Sequence, residues 1–175
     1  MSILKVDTIN EKTTGNGVAI PGHVIQMVNT SFNNQTDITT TSAAAITGAS
    51  LAITPKFSTS KIVLMVNLSI RIKDLNTSYA NCGLEILRGS TQLQTLAGDN
   101  AGPFEVGFYD VSGGGGEICS RYANNIIDSP STTSATTYSV KGKIYGNNGA
   151  TLSINPGDIA SAIGQSSIIL MEIAQ

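Results

Sequence analysis

Between Lys61 and Ile72 the chain reads KIVLMVNLSIRI, and Ile62, Leu64, Val66, Leu68, Ile70 and Ile72 recur at every second position. Six apolar residues in strict alternation commit one face of a long β-strand to a core. They also exclude an amphipathic helix, whose apolar positions recur every three or four residues. The intervening residues start apolar, at Val63 and Met65, and turn polar at Asn67, Ser69, Arg71 and Lys73. One end of this strand therefore expects cover on both faces, and the other end expects water.

The rest of the chain offers strand partners. HVIQMVNT alternates from His23 onward, Asp37-Ile38-Thr39 reads as a short edge strand, and Leu51 with Ile53 marks another short strand. NCGLEILRG, the turn at Gly89-Ser90 and the returning TQLQTLAG read as a hairpin. Phe104, Val106 and Phe108 alternate, and EICSRYANNIID comes after four glycines at 113–116. YSVKGKIYG is expected to turn at Asn147-Asn148-Gly149 and return as ATLSI, forming a second hairpin. One helical turn is expected at Asp158 to Ile163, and SSIILMEIAQ closes the chain as a buried strand. No segment holds a 3.6-residue period over three turns. Nine or ten short strands punctuated by turn residues are the pattern of an all-β sandwich or barrel.

Residues 1–23 differ in character from the remainder of the chain. ILKVDTINE could form only a lone strand, and TTGNGVAIPG is broken by glycine and proline. A lone strand cannot bury its own apolar face. The expected organisation is an extended N-terminal attachment arm at 1–23 and one β-sandwich at 24–175. Leu4, Val6, Ile9, Val18 and Ile20 are the arm residues expected to engage a neighbour by strand addition.

Chemistry is sparse. The chain has a single histidine, His23, and two cysteines, Cys82 and Cys119, whose spacing matches neither a zinc site nor a redox motif. Both cysteines are expected as buried reduced thiols, with a disulfide as the alternative. Asp74, Asp99, Asp110, Asp128 and Asp158 fall in loops or at strand ends, where aspartate usually shapes turns. The four glycines lack the lysine and the helix of a phosphate loop. No catalytic, cofactor or metal residue is expected, and the chain reads as non-enzymatic. Charged residues make up 13% of the 175 and the formal net charge is -2, so phosphate neutralisation is weak and nucleic-acid binding is not expected. No apolar run reaches the ~20 residues of a membrane helix. The N-terminus reads without a secretory signal. A surface rich in Ser, Thr, Asn and Gly has little to desolvate and suits close packing of identical copies. Two-sided burial inside a monomer is the alternative reading of the apolar outer positions at Lys61–Met65 and Ile168–Ile173.

The segments ILKVDTI…TTGNGVAIPG, ITPKFSTSKIVLMVNLSI and SPSTTSATTYSVKG…SSIILMEIAQ resemble virion structural proteins of tailed bacteriophages, of the marine and cyanophage type. The resemblance implies a jelly-roll knob similar to tumour-necrosis-factor and C1q domains. It also implies a homotrimer, other virion proteins of tail or capsid as partners, and a tail-fibre or spike position on the particle. Host attachment through a surface glycan, and assembly in the bacterial cytoplasm before release in the virion, go with that reading. The chain has no long repetitive shaft, which leaves a capsid decoration or cement role open. A carbohydrate-binding jelly roll unrelated to phage is the third reading.

Overall fold

The computed structural model describes residues 8–74, 79–94, 105–109, 115–145, 149–157 and 164–175. Among these residues there is no helix. Eleven strands run in chain order: β1 (Val24–Phe32), β2 (Thr36–Ile38), β3 (Ala44–Ile53), β4 (Lys61–Asp74), β5 (Tyr79–Arg88), β6 (Thr91–Gln94), β7 (Glu105–Tyr109), β8 (Gly116–Asp128), β9 (Thr136–Tyr145), β10 (Thr151–Ile154) and β11 (Ser166–Ile173). All pairings are antiparallel, and they form two sheets.

The alternating strand β4 is the spine of the first sheet. β8 pairs along its whole length, from Ile62 opposite Asp128 to Asp74 opposite Gly116. The other edge of β4 is shared. β11 covers Lys61 to Asn67, β10 covers Ile70 to Lys73, β1 lies outside β11 and β2 outside β10. The second sheet runs β3-β9-β5, and the far edge of β5 is divided between β7 and β6. The six alternating residues of β4 are all 0–1% exposed. They meet Cys82, Leu84, Ile86, Tyr138, Val140 and Ile144 of the second sheet in one hydrophobic core. Burial of each large aliphatic side chain contributes about 1.5–3 kcal/mol, so this single periodic strand anchors the fold.

Two glycines mark close approaches. Gly142 on β9 lies close under the core: a Cβ there would stand 2.8 Å from Ile38 Cδ1 and 2.9 Å from Leu152 Cδ2, so these two methyl ends would have to move aside. Gly48 has φ +85° at the register shift of β3, where a Cβ would meet the Phe32 side chain at 2.7 Å. Both conditions exclude alanine at that bulge.

Several expectations change. The hairpin joining YSVKGKIYG to ATLSI does not form, because β9 belongs to the second sheet while β10 pairs with β4 and β2 in the first. Leu152, Ser153 and Ile154 are all buried, and β10 fills the edge of β4 that lies beyond the end of β11. The short strand at Leu51 and Ile53 extends back to Ala44. The polar end of β4 is not uniformly wet, since Arg71 is buried beside Ser153. Cys82 is a buried thiol as expected, but Cys119 is exposed because it lies on the outer face of β8. The expected helical turn at 158–163, Asp99, Asp110 and the first two of the four glycines lie outside the described residues.

Candidate functional site

The register of the first sheet aligns its outward-facing side chains into rows. Met27 on β1 stands opposite Met171 on β11, Met171 opposite Val63 on β4, and Val63 opposite Ile127 on β8. Four apolar side chains thus lie side by side across four strands, about 14 Å from first to last at ~4.8 Å per strand. The next row is Asn29, Ile169, Met65 and Asn125, and the one after is Ser31, Ser167, Asn67 and Ala123. Ile127 is 68% exposed and Met27 57% exposed, while Val63, Met65, Ile169 and Met171 are half-buried by their neighbours. Toward the other end of β4 and β8 the same face carries Arg71, Lys73, Glu117 and Arg121. The face is therefore split into an apolar, nearly uncharged half and a charged half. Exposed apolar side chains in lateral register make this half of the face a candidate interaction surface.

The described part of the arm, residues 8–23, contains no strand. Glu11 closes it into a loop, with Oε1 accepting from the Gly15 N–H at 2.8 Å and Oε2 from the Gly17 N–H at 2.7 Å. These backbone donors hold the Glu11 carboxyl below its ordinary range. The loop then joins the sheet at its open end. Gly22 N–H donates to Ala174 O, and Ala174 N–H donates to His23 O, both at 2.9 Å. Of the expected arm residues, Leu4 and Val6 lie outside the described residues. Ile9 is exposed, Ile20 is half-buried with its carbonyl accepting from the His23 N–H, and Val18 lines a cavity of about 300 Å³. The other lining residues are Asn10, Lys12, Thr13, Asn16, Gly17, Ala19 and Phe57.

Two buried carboxylates hold the loops and sheets around these surfaces. Glu172 on β11 is fully buried. Its Oε1 accepts from the backbone N–H of Lys56 at 2.8 Å and of Phe57 at 3.2 Å, and its Oε2 accepts from Gln26 Nε2 at 2.6 Å. Asp128, at the end of β8, accepts both Arg88 Nη1 contacts at 2.8 and 2.9 Å and the Tyr138 hydroxyl at 2.7 Å. Arg88 and Tyr138 stand on the second sheet, so Asp128 ties the two sheets together.

Burial and the Asp128 carboxylate push the Tyr138 hydroxyl well above its ordinary range. Its folded value is raised, so its stabilising effect is complete below the unfolded value of about 10 and is lost as pH rises beyond it. Urea unfolding at rising pH should therefore show stability falling above about pH 10. Tyr138→Phe should flatten that fall by up to ~1.4 kcal/mol per pH unit. Equal alkaline slopes in the two proteins would refute this assignment.

Among the described residues no cluster of three or more His, Cys, Asp or Glu side chains is placed to hold a metal, and no helix is long and apolar enough to cross a membrane. Single-strand patterns could not locate the Met27–Met171–Val63–Ile127 row, because it depends on which strands are neighbours. The one sequence signal was the surplus of apolar residues on the outer positions of β4 and β11. No protein-family model and no curated protein sequence matches this chain.

Proposed function

We propose that this chain is a non-enzymatic structural protein of a tailed-phage particle. In this reading it is a jelly-roll knob that assembles as a homotrimer of tail-fibre or spike type, carried by the 1–23 arm. The strand order supports the jelly-roll reading. β8-β4-β11-β1, with β10 and β2 beside β4, lies in one sheet and β3-β9-β5-β6 in the other, and the chain passes between sheets six times, at β2–β3, β3–β4, β4–β5, β7–β8, β8–β9 and β9–β10. The phage assignment rests on the sequence resemblance.

The observation that carries self-assembly is the apolar half-face with Met27, Met171, Val63 and Ile127 in lateral register. Amides and hydroxyls of Asn29, Asn125, Ser31 and Ser167 border it, which gives an apolar centre with a polar, weakly charged rim. Identical copies bring no opposing charge to such a surface. Weak contacts of the knob with a host surface gain strength when three copies act together.

Light scattering behind size exclusion tests the assembly. The intact protein should run at roughly three times the 18.1 kDa chain mass. Ile127→Asp, at a 68% exposed position, should leave the fold intact by circular dichroism and shift the mass to one chain. A monomeric parent protein would sink the trimer. An Ile127→Asp protein that stays trimeric would move the contact to another surface.

A further inference from the structure

The cavity between the arm loop and the 54–60 loop has a composition and a rigidity that the assembly role does not use. Each wall is fixed by a carboxylate. Glu11 holds the backbone at Gly15 and Gly17, and Glu172 holds it at Lys56 and Phe57. The Ser60 N–H to Phe57 O bond, 3.1 Å, closes the second wall into a turn. Loops held this way bind without first being ordered, which lowers the entropic cost of binding.

The lining combines one aromatic ring, two side-chain amides, a hydroxyl and one cation: Phe57, Asn10, Asn16, Thr13 and Lys12. A flat ring offers an apolar face to the C–H side of a pyranose. An amide carries a donor and an acceptor side by side, as vicinal hydroxyls require. Lys12 is a compact point charge on a long stem and suits a carboxylate. The lining has no carboxylate of its own, and both oxygens of neighbouring Glu11 are engaged by backbone N–H groups. A volume of about 300 Å³ is at the small end of ligand sites and accommodates one sugar ring.

We propose that this cavity is a binding site for a single acidic sugar residue, a hexuronate unit of a surface polysaccharide. Phe57 packs on the ring, Asn10 and Asn16 meet its hydroxyls, and Lys12 pairs with its carboxylate. The site rests on the host-contact element of the proposed function, and because its walls take up arm residues 10–19, docking on the particle is left to Leu4, Val6 and Ile9. A ligand titration reads the cavity alone, and light scattering reads assembly alone, so failure of either is distinguishable.

The test is a 15N–1H correlation titration of the full chain with methyl β-D-glucuronide, methyl β-D-glucoside and sodium acetate. The glucuronide should shift the amides of Gly15, Gly17 and Phe57 along a saturating curve. The glucoside should shift the same amides about two- to fivefold more weakly, the range of one exposed ion pair. Lys12→Ala should bring the glucuronide down to the glucoside level. Phe57→Ala should abolish both responses while the Gly15 and Gly17 peaks keep their positions, which shows the loop intact. No saturable shift from either glycoside up to about 50 mM, far above the ~1 mM scale of weak specific sites, overturns the proposal. Equal saturation by acetate overturns it too, since the cavity would then be a simple anion site. Equal binding of the two glycosides, unchanged by Lys12→Ala, overturns the acidic specificity.

Discussion

Replacing Asp128 with alanine should lower the free energy of unfolding by about 2–4 kcal/mol. The cost has two unequal parts. The Arg88 side chain is 28% exposed, so its guanidinium can turn to water and keep its bond to the Ser129 carbonyl. The Tyr138 hydroxyl sits on a residue with 0% exposure and has no such escape. A buried hydroxyl deprived of its acceptor carries its full desolvation penalty, whereas removing both partners restores near-neutrality. The double variant Asp128→Ala/Tyr138→Phe should accordingly recover a large part of the loss seen in Asp128→Ala alone. Denaturant titrations at fixed protein concentration measure all three variants. Strictly additive effects would show that the hydroxyl and the carboxylate are energetically independent, contrary to their 2.7 Å contact.

Glu172→Ala should cost about 3–4 kcal/mol, because it strips the acceptor from two backbone N–H groups and one amide. Gln26 keeps a second acceptor, the Thr54 carbonyl at 2.7 Å, so the backbone donors of Lys56 and Phe57 bear most of the loss. Glu172→Gln should cost less than alanine, since its amide oxygen can still accept from Lys56 and Phe57, although its NH2 faces the Gln26 donor and supplies no acceptor there. Loss of the turn should also be visible locally, as faster hydrogen exchange at Phe57 and Ser60. Alanine costing under about 1 kcal/mol would mean that the loop satisfies itself with water.

The parts of the fold legible in the sequence are those that depend on one strand at a time. The face of β4 is legible because its six core residues never break phase, and the β5–β6 hairpin is legible because Gly89-Ser90 interrupts two alternating runs. β3 is harder to read, because Ala44, Ala45, Thr47 and Gly48 weaken the apolar signal and its bulge breaks the period. The false hairpin at Asn147-Asn148-Gly149 has the same origin. Turn residues announce a change of direction, yet they do not say whether the returning strand stays in its sheet.

Charge is hard to read for a related reason. Asp128 reads as a turn-shaping aspartate, and only the juxtaposition of β8 with β5 and β9 pairs it with Arg88. Glu172 does carry a signal, since it keeps phase with buried Ile168 and Leu170 on β11. A carboxylate on the core parity of a strand is a cue for a buried acceptor of backbone donors. Of the arm, Val18 lines the cavity wall. The more informative residues there, Asn10, Asn16 and Phe57, come together only through the fold.

The place of β11 between β1 and β4 also sets the order of events in synthesis. Met27 and Met171 pair across most of the chain's length, and β4 keeps half of one edge open until Ser166–Ile173 arrives. The first sheet therefore cannot close while the ribosome still holds the residues around Ile173. Until then β1 and β4 display the same apolar side chains that later build the core. Such long-range closure places folding in the millisecond-to-second range rather than the microsecond range. An exposed apolar edge of this kind makes the incomplete chain prone to association until β11 is in place.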